Sequence, residues 1–229
     1  MKILLIWAII IAVTYEILAI FVAKSDCEKY VQKYQLAVSS PSISYSIAKR
    51  FGDIIISFMV CVLILPILYL VLGLIIKLTS KGPVIFKQKR FGYLGRKFVC
   101  YKFRSMYQGA GPQKVMCRED DRITPIGRFI RRTHLDEFPQ FFNVLKGDMS
   151  IVGPRPLRDR EIKRFCANKR GFERLIMLPG ITGLSQVNSG RLLSDEDVLH
   201  YDFEYVSKPS LIKDFCLIVK TLKFSDVAY

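Results

Sequence analysis

The sequence predicts an α+β fold, mostly helical and held to a membrane, on three observations: two long apolar runs, a basic globular remainder, and two short strand-like segments joined through glycines. The first run, residues 3–23, is 21 residues long and interrupted only by Thr14, Tyr15 and Glu16. About 20 apolar residues span a bilayer, so residues 1–23 read as an N-terminal transmembrane helix. A cleaved signal peptide is the rival reading; against it stand the length of the run and the lack of a small-x-small site before Lys24. Residues 24–48 are polar and read as a linker. The second run, 54–76, carries 23 residues without a charge and Pro66 at its middle. Proline removes a backbone donor and clashes with the preceding turn, so this helix should bend. It either spans with a kink or turns back and leaves by the face it entered. Lys49 and Arg50 precede it and Lys77 and Lys81 follow. Positive charge at both ends favours the re-entrant form over residues 49–76, since cationic flanks are normally kept on the cytoplasmic side.

From residue 77 to residue 229 the composition is that of one small globular domain. Residues 83–90 and 97–104 alternate as short strands and are joined through Gly92 and Gly95, which predicts a β-hairpin. Helices are expected at 126–133, 139–146, 158–168, 195–206 and 210–224, with Pro139 in a first turn and Gly147 just past an end. The last of these places Ile212, Phe215, Cys216, Val219 and Leu222 on one face, as an amphipathic helix lying in a membrane interface would. A core-facing stripe is the plainer alternative.

The chain holds 35 Lys and Arg against 20 Asp and Glu, a net charge of +15, with 51% hydrophobic residues. The excess is concentrated: residues 77–132 contain fifteen Lys or Arg and three acids, Glu119, Asp120 and Asp121. Such a surface suits a polyanion, an anionic lipid or a phosphorylated ligand, and most of these charges need do no more than meet headgroups. The six cysteines form no CxxC pair and have no histidine at ligand spacing, so they read as reduced thiols, in keeping with a cytoplasmic face.

One segment concentrates chemistry: Arg131-Arg132-Thr133-His134-Leu135-Asp136-Glu137-Phe138-Pro139. Adjacent carboxylates beside two guanidinium groups suit phosphate chemistry. Arginine forks bind phosphate oxygens, Mg²⁺ takes carboxylate oxygens, and a carboxylate brought to phosphorus can act as nucleophile. The plainer reading is structural, because Asp-Glu before Pro at a helix start is ordinary capping chemistry. The stretch from Gly147 to Pro156 and the stretch from Pro179 to Asn188 read as rigid, backbone-exposing loops. Arg155, held between two prolines, is either a preorganised anion ligand or part of a surface turn.

Taken together, the residues resemble the monotopic phosphoglycosyl transferases, or bacterial sugar transferases. The resemblance runs through Lys49-Arg50-x-x-Asp53, Pro66, Phe86-x-Gln88-x-Arg90-x-Gly92, Lys102-Phe103-Arg104-Ser105-Met106, Leu135-Asp136-Glu137, the segment from Asn143 to Asp148, Gly153-Pro154-Arg155-Pro156 and the segment from Pro179 to Gly183. It implies transfer of a sugar-1-phosphate from a UDP-sugar to polyprenyl (undecaprenyl) phosphate, with release of UMP, as a first membrane step of surface-glycan assembly. By the same resemblance Asp136 attacks the phosphate next to the sugar and Glu137 assists through metal or proton handling. Mg²⁺ is expected at Asp136 and Glu137, and Arg131 is expected on the lipid phosphate. Arg155, Arg104 and Gln186 are expected to bind substrate. Implied too are a re-entrant helix, interfacial helices, membrane-lipid contacts and a domain on the cytoplasmic face of the bacterial inner membrane. No nucleic-acid partner is expected, and a homo-oligomer is compatible with the sequence. Leu65 stands where many members carry Ser before the membrane proline, Leu178 where they often carry Arg, and Ser189 separates Asn188 from Gly190. The alternative from another class is a membrane-tethered basic module for nucleic acid or anionic lipid; it leaves the ordered motifs without a role and lacks a nucleic-acid-binding signature.

Overall fold

The computed structural model describes residues 2–109, 120–189 and 193–223. Lys114, Arg118 and Glu119 of the basic segment, Gly190 and Arg191, and the expected last residue of the final helix, Phe224, lie outside the described residues.

Helix α1 (Lys2–Tyr34) does not stop at residue 23. The expected linker is helical as far as Tyr34, and only 35–42 remain between it and α2 (Ile43–Met59). The reason lies in the spacing of Cys27, Tyr30, Val31 and Tyr34, which puts four apolar groups on one side of a helix. That side docks on the globular domain: Cys27 is buried, and Tyr34 stacks on Phe172 at 4.3 Å between ring centroids. The Tyr93 hydroxyl donates to the Ala23 carbonyl at 2.6 Å. Composition alone hid this, because the opposite side of the same turns is charged.

Helix α2 opens with Ser42, whose hydroxyl accepts from the Tyr45 amide at 3.2 Å. It passes through one π turn, Val60–Ile64, into α3 (Leu65–Thr79). Pro66 has no amide proton to offer the preceding turn, and the ladder adjusts immediately before it: the Leu65 amide bonds to Val60, five residues back. Residues 4–34 and 43–79 form helices long and apolar enough to cross a membrane. Their outward sides are bare of protein, with Leu4, Trp7, Phe58, Leu63 and Leu70 all exposed.

The hairpin is present, with β1 (Ile85–Phe91) antiparallel to β2 (Lys97–Phe103) in a register running from Ile85 opposite Phe103 to Phe91 opposite Lys97. The turn uses left-handed backbone at Leu94 (φ 49°) and Gly95 (φ 75°). Next come α4 (Pro125–Arg132), a 3₁₀ turn (Leu135–Glu137) and α5 (Gln140–Leu145). The two stretches read as loops contain a second sheet: β3 (Ser150–Val152) pairs in parallel with β4 (Gly180–Thr182). Glycine permits that pairing, since a Cβ on Gly180 would sit 2.1 Å from the Gly153 nitrogen. The expected helix at 158–168 is shorter, α6 (Asp159–Phe165), and two short helices follow, α7 (Lys169–Glu173) and α8 (Leu184–Ser189). Helices α9 (Asp195–Ser207) and α10 (Leu211–Lys223) close the described chain.

Buried polar contacts weld α2 to this domain. Arg50 Nη1 donates to the Val144 carbonyl at 2.6 Å, its Nε lies 3.0 Å from Glu16, and Asp53 Oδ1 accepts from the Ile151 amide at 3.2 Å. Asp214 of α10 accepts from Lys49, Tyr45 and Tyr205 at 2.9, 3.0 and 2.7 Å. Helix α10 therefore turns Asp214 and Leu217 inward and leaves Ile212, Phe215, Cys216 and Leu222 exposed. The stripe seen in the sequence is thus an outward face and not a core stripe.

Candidate active site

The 3₁₀ turn bearing Asp136 and Glu137 is set by what precedes it. Thr124 caps α4 by accepting from the Gly127 amide at 3.0 Å, α4 ends at Arg132, and His134 adopts left-handed backbone (φ 55°), reversing the chain into the turn. Neither carboxylate caps α5, whose first residue follows Pro139 without a side-chain cap. The ordinary structural explanation for an Asp-Glu pair before proline therefore fails here.

Instead the pair faces cations. Lys102 of β2 contacts Glu137 Oε1 directly, and both side chains are largely buried. Burial pushes the Asp136 carboxyl up to about 6; the Glu137 charge adds to that, while Lys102 and Arg131 oppose it. Burial would also raise Glu137, but Lys102, followed by Arg155, outweighs it and holds Glu137 low. Two adjacent carboxylates driven apart in this way form a proton-poised pair, with Glu137 held ionised and Asp136 pushed toward its protonated form.

Glu137 opens onto a small cleft lined also by Lys102, Arg155, Gln186, Arg90 and Gln140. Three of the sequence-predicted residues, Glu137, Arg155 and Gln186, are thus brought together, although they come from positions up to 49 apart in the chain. Asp136 shares the turn and is 8% exposed. Arg131 is close enough to influence Asp136; its Nε donates to the Ser105 hydroxyl at 2.8 Å, and its Nη1 is buried without a partner. Gln140 Nε2 and Gln186 Oε1 are likewise buried and unpaired. Unmet hydrogen-bonding capacity at one place is what a polar ligand satisfies.

Arg104 departs from expectation. Its guanidinium is 6% exposed and is consumed at the end of α3, donating to the carbonyls of Lys81 at 2.6 Å and Ser80 at 2.8 Å and to the Ser80 hydroxyl at 3.0 Å. These are the orphan carbonyls of a helix terminus, and a charged fork satisfies several at once. These contacts of Nη1 and Nη2 are structural, Nε is buried without a partner, and Arg104 does not line the cleft. Arg104→Met is accordingly expected to lower stability by about 2–3 kcal/mol, the cost of leaving buried carbonyls unpaired, while the KM for a soluble substrate stays within about twofold. Thermal melting and steady-state kinetics on the same preparation check this.

Lys102, Arg90 and Gln140 were not singled out as site residues by sequence reasoning. A signal was present for two of them. Side chains alternate across a strand, so Gln88, Arg90, Cys100 and Lys102 share one face of the hairpin once the register is known. Gln140 gave no comparable signal.

Among the described residues no third His, Cys, Asp or Glu joins the two carboxylates as a metal cluster. Mg²⁺ is commonly held by one or two carboxylates together with substrate phosphates and waters, so the pair fits Mg²⁺ and does not fit a fully protein-ligated ion.

Compared with known proteins, residues 44–225 match the family described as bacterial sugar transferase. The chain is 43% identical over 182 residues to the UDP-glucose:undecaprenyl-phosphate glucose-1-phosphate transferase of Klebsiella pneumoniae, covering 76% of this chain and 39% of that protein. It is 41% identical over 196 residues to the undecaprenyl-phosphate galactose phosphotransferase of Salmonella typhimurium, covering 76% and 40%. With the UDP-N-acetylgalactosamine-undecaprenyl-phosphate N-acetylgalactosaminephosphotransferase of Aeromonas hydrophila it shares 38% over 206 residues, covering 85% and 47%. The chain thus spans less than half the length of each of these relatives.

Proposed function

The chain belongs to the bacterial sugar transferase family, and from that membership we propose that it moves a sugar-1-phosphate from a UDP-sugar to undecaprenyl phosphate. The observation that carries the proposal is the Asp136-Glu137 pair itself: buried, freed from capping, with one carboxylate locked by Lys102 and the other pushed up by its burial.

In the first step an Asp136 carboxylate oxygen attacks the phosphorus next to the sugar. A phosphorus–oxygen bond forms to Asp136, the bond to the nucleotide phosphate breaks, and UMP leaves with that electron pair. An oxygen of the lipid phosphate then attacks the same phosphorus and expels the Asp136 carboxylate, restoring the enzyme. Arg131, whose Nη1 lacks a partner, holds the lipid phosphate; Arg155 and Gln186 hold the nucleotide-sugar in the cleft. Lys102 keeps Glu137 ionised and fixes its direction. Mg²⁺ bound at Asp136 and Glu137 would neutralise charge between carboxylate and phosphate.

The same reading puts the domain on the cytoplasmic face, with α2 and α3 re-entrant. What supports it is that both ends of the apolar helix bind one domain. Arg50 donates to Val144 of α5, the Ile76 carbonyl accepts from Arg104 beyond the end of β2, and β2 is itself tied to α5 by Asn143, which donates to the Val99 carbonyl at 2.7 Å. A domain on one side of a bilayer cannot hold the two ends of a helix that crosses it. The exposed apolar faces of α10 and of Phe129 and Phe142 suit the adjoining interface.

The relatives' names mention glucose, galactose and N-acetylgalactosamine, so the donor is to be found by trial. Purified protein with undecaprenyl phosphate and Mg²⁺ is expected to release UMP from one or a few members of a UDP-sugar panel. Silence across the panel, with retained binding to anionic vesicles, would return the basic membrane module to first place.

A further inference from the structure

Arg155 is held in a manner that its own sequence neighbours do not explain. The carbonyl of Arg155 accepts from Arg174 Nη2 at 2.8 Å, and the carbonyl of Pro156 accepts from Arg90 Nη1 at 3.0 Å. Both arginines are buried, at 2% and 6% exposure. Two guanidinium groups therefore set the backbone on which the Arg155 side chain stands.

Arg174 in turn belongs to a buried pair. Its Nη2 lies 2.9 Å from Asp202 Oδ2, with side chains 2% and 1% exposed, and the Phe165 ring lies 4.8 Å from its guanidinium carbon. Asp202 Oδ1 accepts from the Ser185 hydroxyl at 2.9 Å, and Ser185 immediately precedes Gln186. A single buried ion pair on α9 and the turn after α7 is thus bonded to the segment carrying Arg155 and to the helix carrying Gln186, two parts of the cleft wall. Arg174 Nη1 and Asp202 Oδ2 make no aligned hydrogen bond, so the pair is not an optimised source of stability. Buried pairs of this kind are often replaced by apolar residues at little or no cost to folding.

We propose that Arg174 and Asp202 are positioning residues that fix Arg155 and Gln186 relative to one another, and so set the affinity of the cleft for the nucleotide-sugar without touching it. The proposal rests on the assignment of this cleft to the nucleotide-sugar. Misplacing a binding group by an ångström costs on the order of 10²-fold in rate, which makes a rigid strut useful even where it does not stabilise.

The test uses the full chain in detergent or nanodiscs. Asp202→Asn leaves the buried Arg174 charge without its carboxylate, and is expected to melt early. The double replacement Arg174→Met with Asp202→Leu is expected to recover the melting temperature but to keep a kcat/KM for the UDP-sugar lowered about 10- to 100-fold, chiefly through KM, while the KM for undecaprenyl phosphate changes less than about twofold. Ser185→Ala, which removes the hydroxyl bond to Asp202 while leaving the ion pair intact, is expected to raise the UDP-sugar KM about threefold with little change in melting. Amide hydrogen exchange supplies a readout independent of turnover: residues 153–157 and 184–188 should exchange faster in the double variant. Unchanged exchange and an unchanged UDP-sugar KM in both Ser185→Ala and the double variant would overturn the proposal. Faster exchange in a protein whose wild type releases no UMP would instead overturn the assigned reaction and leave the strut standing.

Discussion

Asp136→Asn is expected to abolish UMP release, by about 10⁴-fold or more, and at the same time to make the protein more stable above pH 6. The first effect follows from the chemistry: an amide oxygen is a poor nucleophile, and the residues left behind bind substrate without forming the covalent bond. The second follows from burial. The Asp136 carboxyl is pushed up to about 6 in the fold, by desolvation first and by Glu137 second, against an ordinary value near 3.9 in an unfolded chain. A raised acid favours its neutral form, so the folded state binds the proton more tightly than the unfolded state. Wild-type stability should therefore fall as pH rises from about 4 to about 6 and stay low above that window, a loss on the order of 2–3 kcal/mol. Asparagine does not titrate and escapes the loss. Melting curves without divalent cation should coincide for the two proteins near pH 4 and separate by pH 7.5. Substantial turnover by the variant would remove Asp136 from the role of nucleophile; equal melting at pH 7.5 would mean that its carboxylate is not strained.

The next largest effect is expected at Lys102, a residue outside the run that carries the carboxylates. Lys102→Met removes the ammonium in contact with Glu137 and the first of the cations that oppose the rise of Asp136. Glu137, held low mainly by Lys102 against its own burial, should move up, and Asp136 should rise with it. The acid limb of the pH–rate profile is then expected to shift to higher pH. At neutral pH kcat should drop about 10²- to 10³-fold, the usual scale for losing one preorganised charge at a reacting centre. Lys102→Arg, which keeps the charge but not the reach, should restore the position of the limb better than it restores kcat. A Met variant with reduced kcat and an unmoved limb would show that Lys102 acts by packing alone.

Much of this molecule was readable along the chain because the signals are local. Runs of 21 and 23 apolar residues, a proline inside one of them, alternating residues around Gly92 and Gly95, and an apolar stripe on the last helix all follow from spacing within a few turns. Asp136 and Glu137 were legible for the same reason, being neighbours in sequence with Arg131 and Arg132 beside them. What stayed hidden depends on partners far away. Residues 24–34 look polar until the domain that covers Cys27 and Tyr30 is present, and residues 150–152 look like a turn until Gly180 arrives to pair with them.

The site divides along the same line. Sequence chemistry marked the two carboxylates as candidates beside a plainer capping role, and the family resemblance chose between the two. Only the fold decided which of the many basic residues meets them. Lys102 reaches Glu137 across 35 residues; Arg174 reaches Asp202 across 28, and Arg104, in the same motif as Lys102, is turned away to cap a helix. In a chain with 35 Lys and Arg, charge says that an anion will be met. Which cation meets it is settled by burial and register: Lys102 lies within β2 on the face it shares with Arg90 and Cys100, whereas Arg104 stands past the last strand residue, Phe103, against the end of α3.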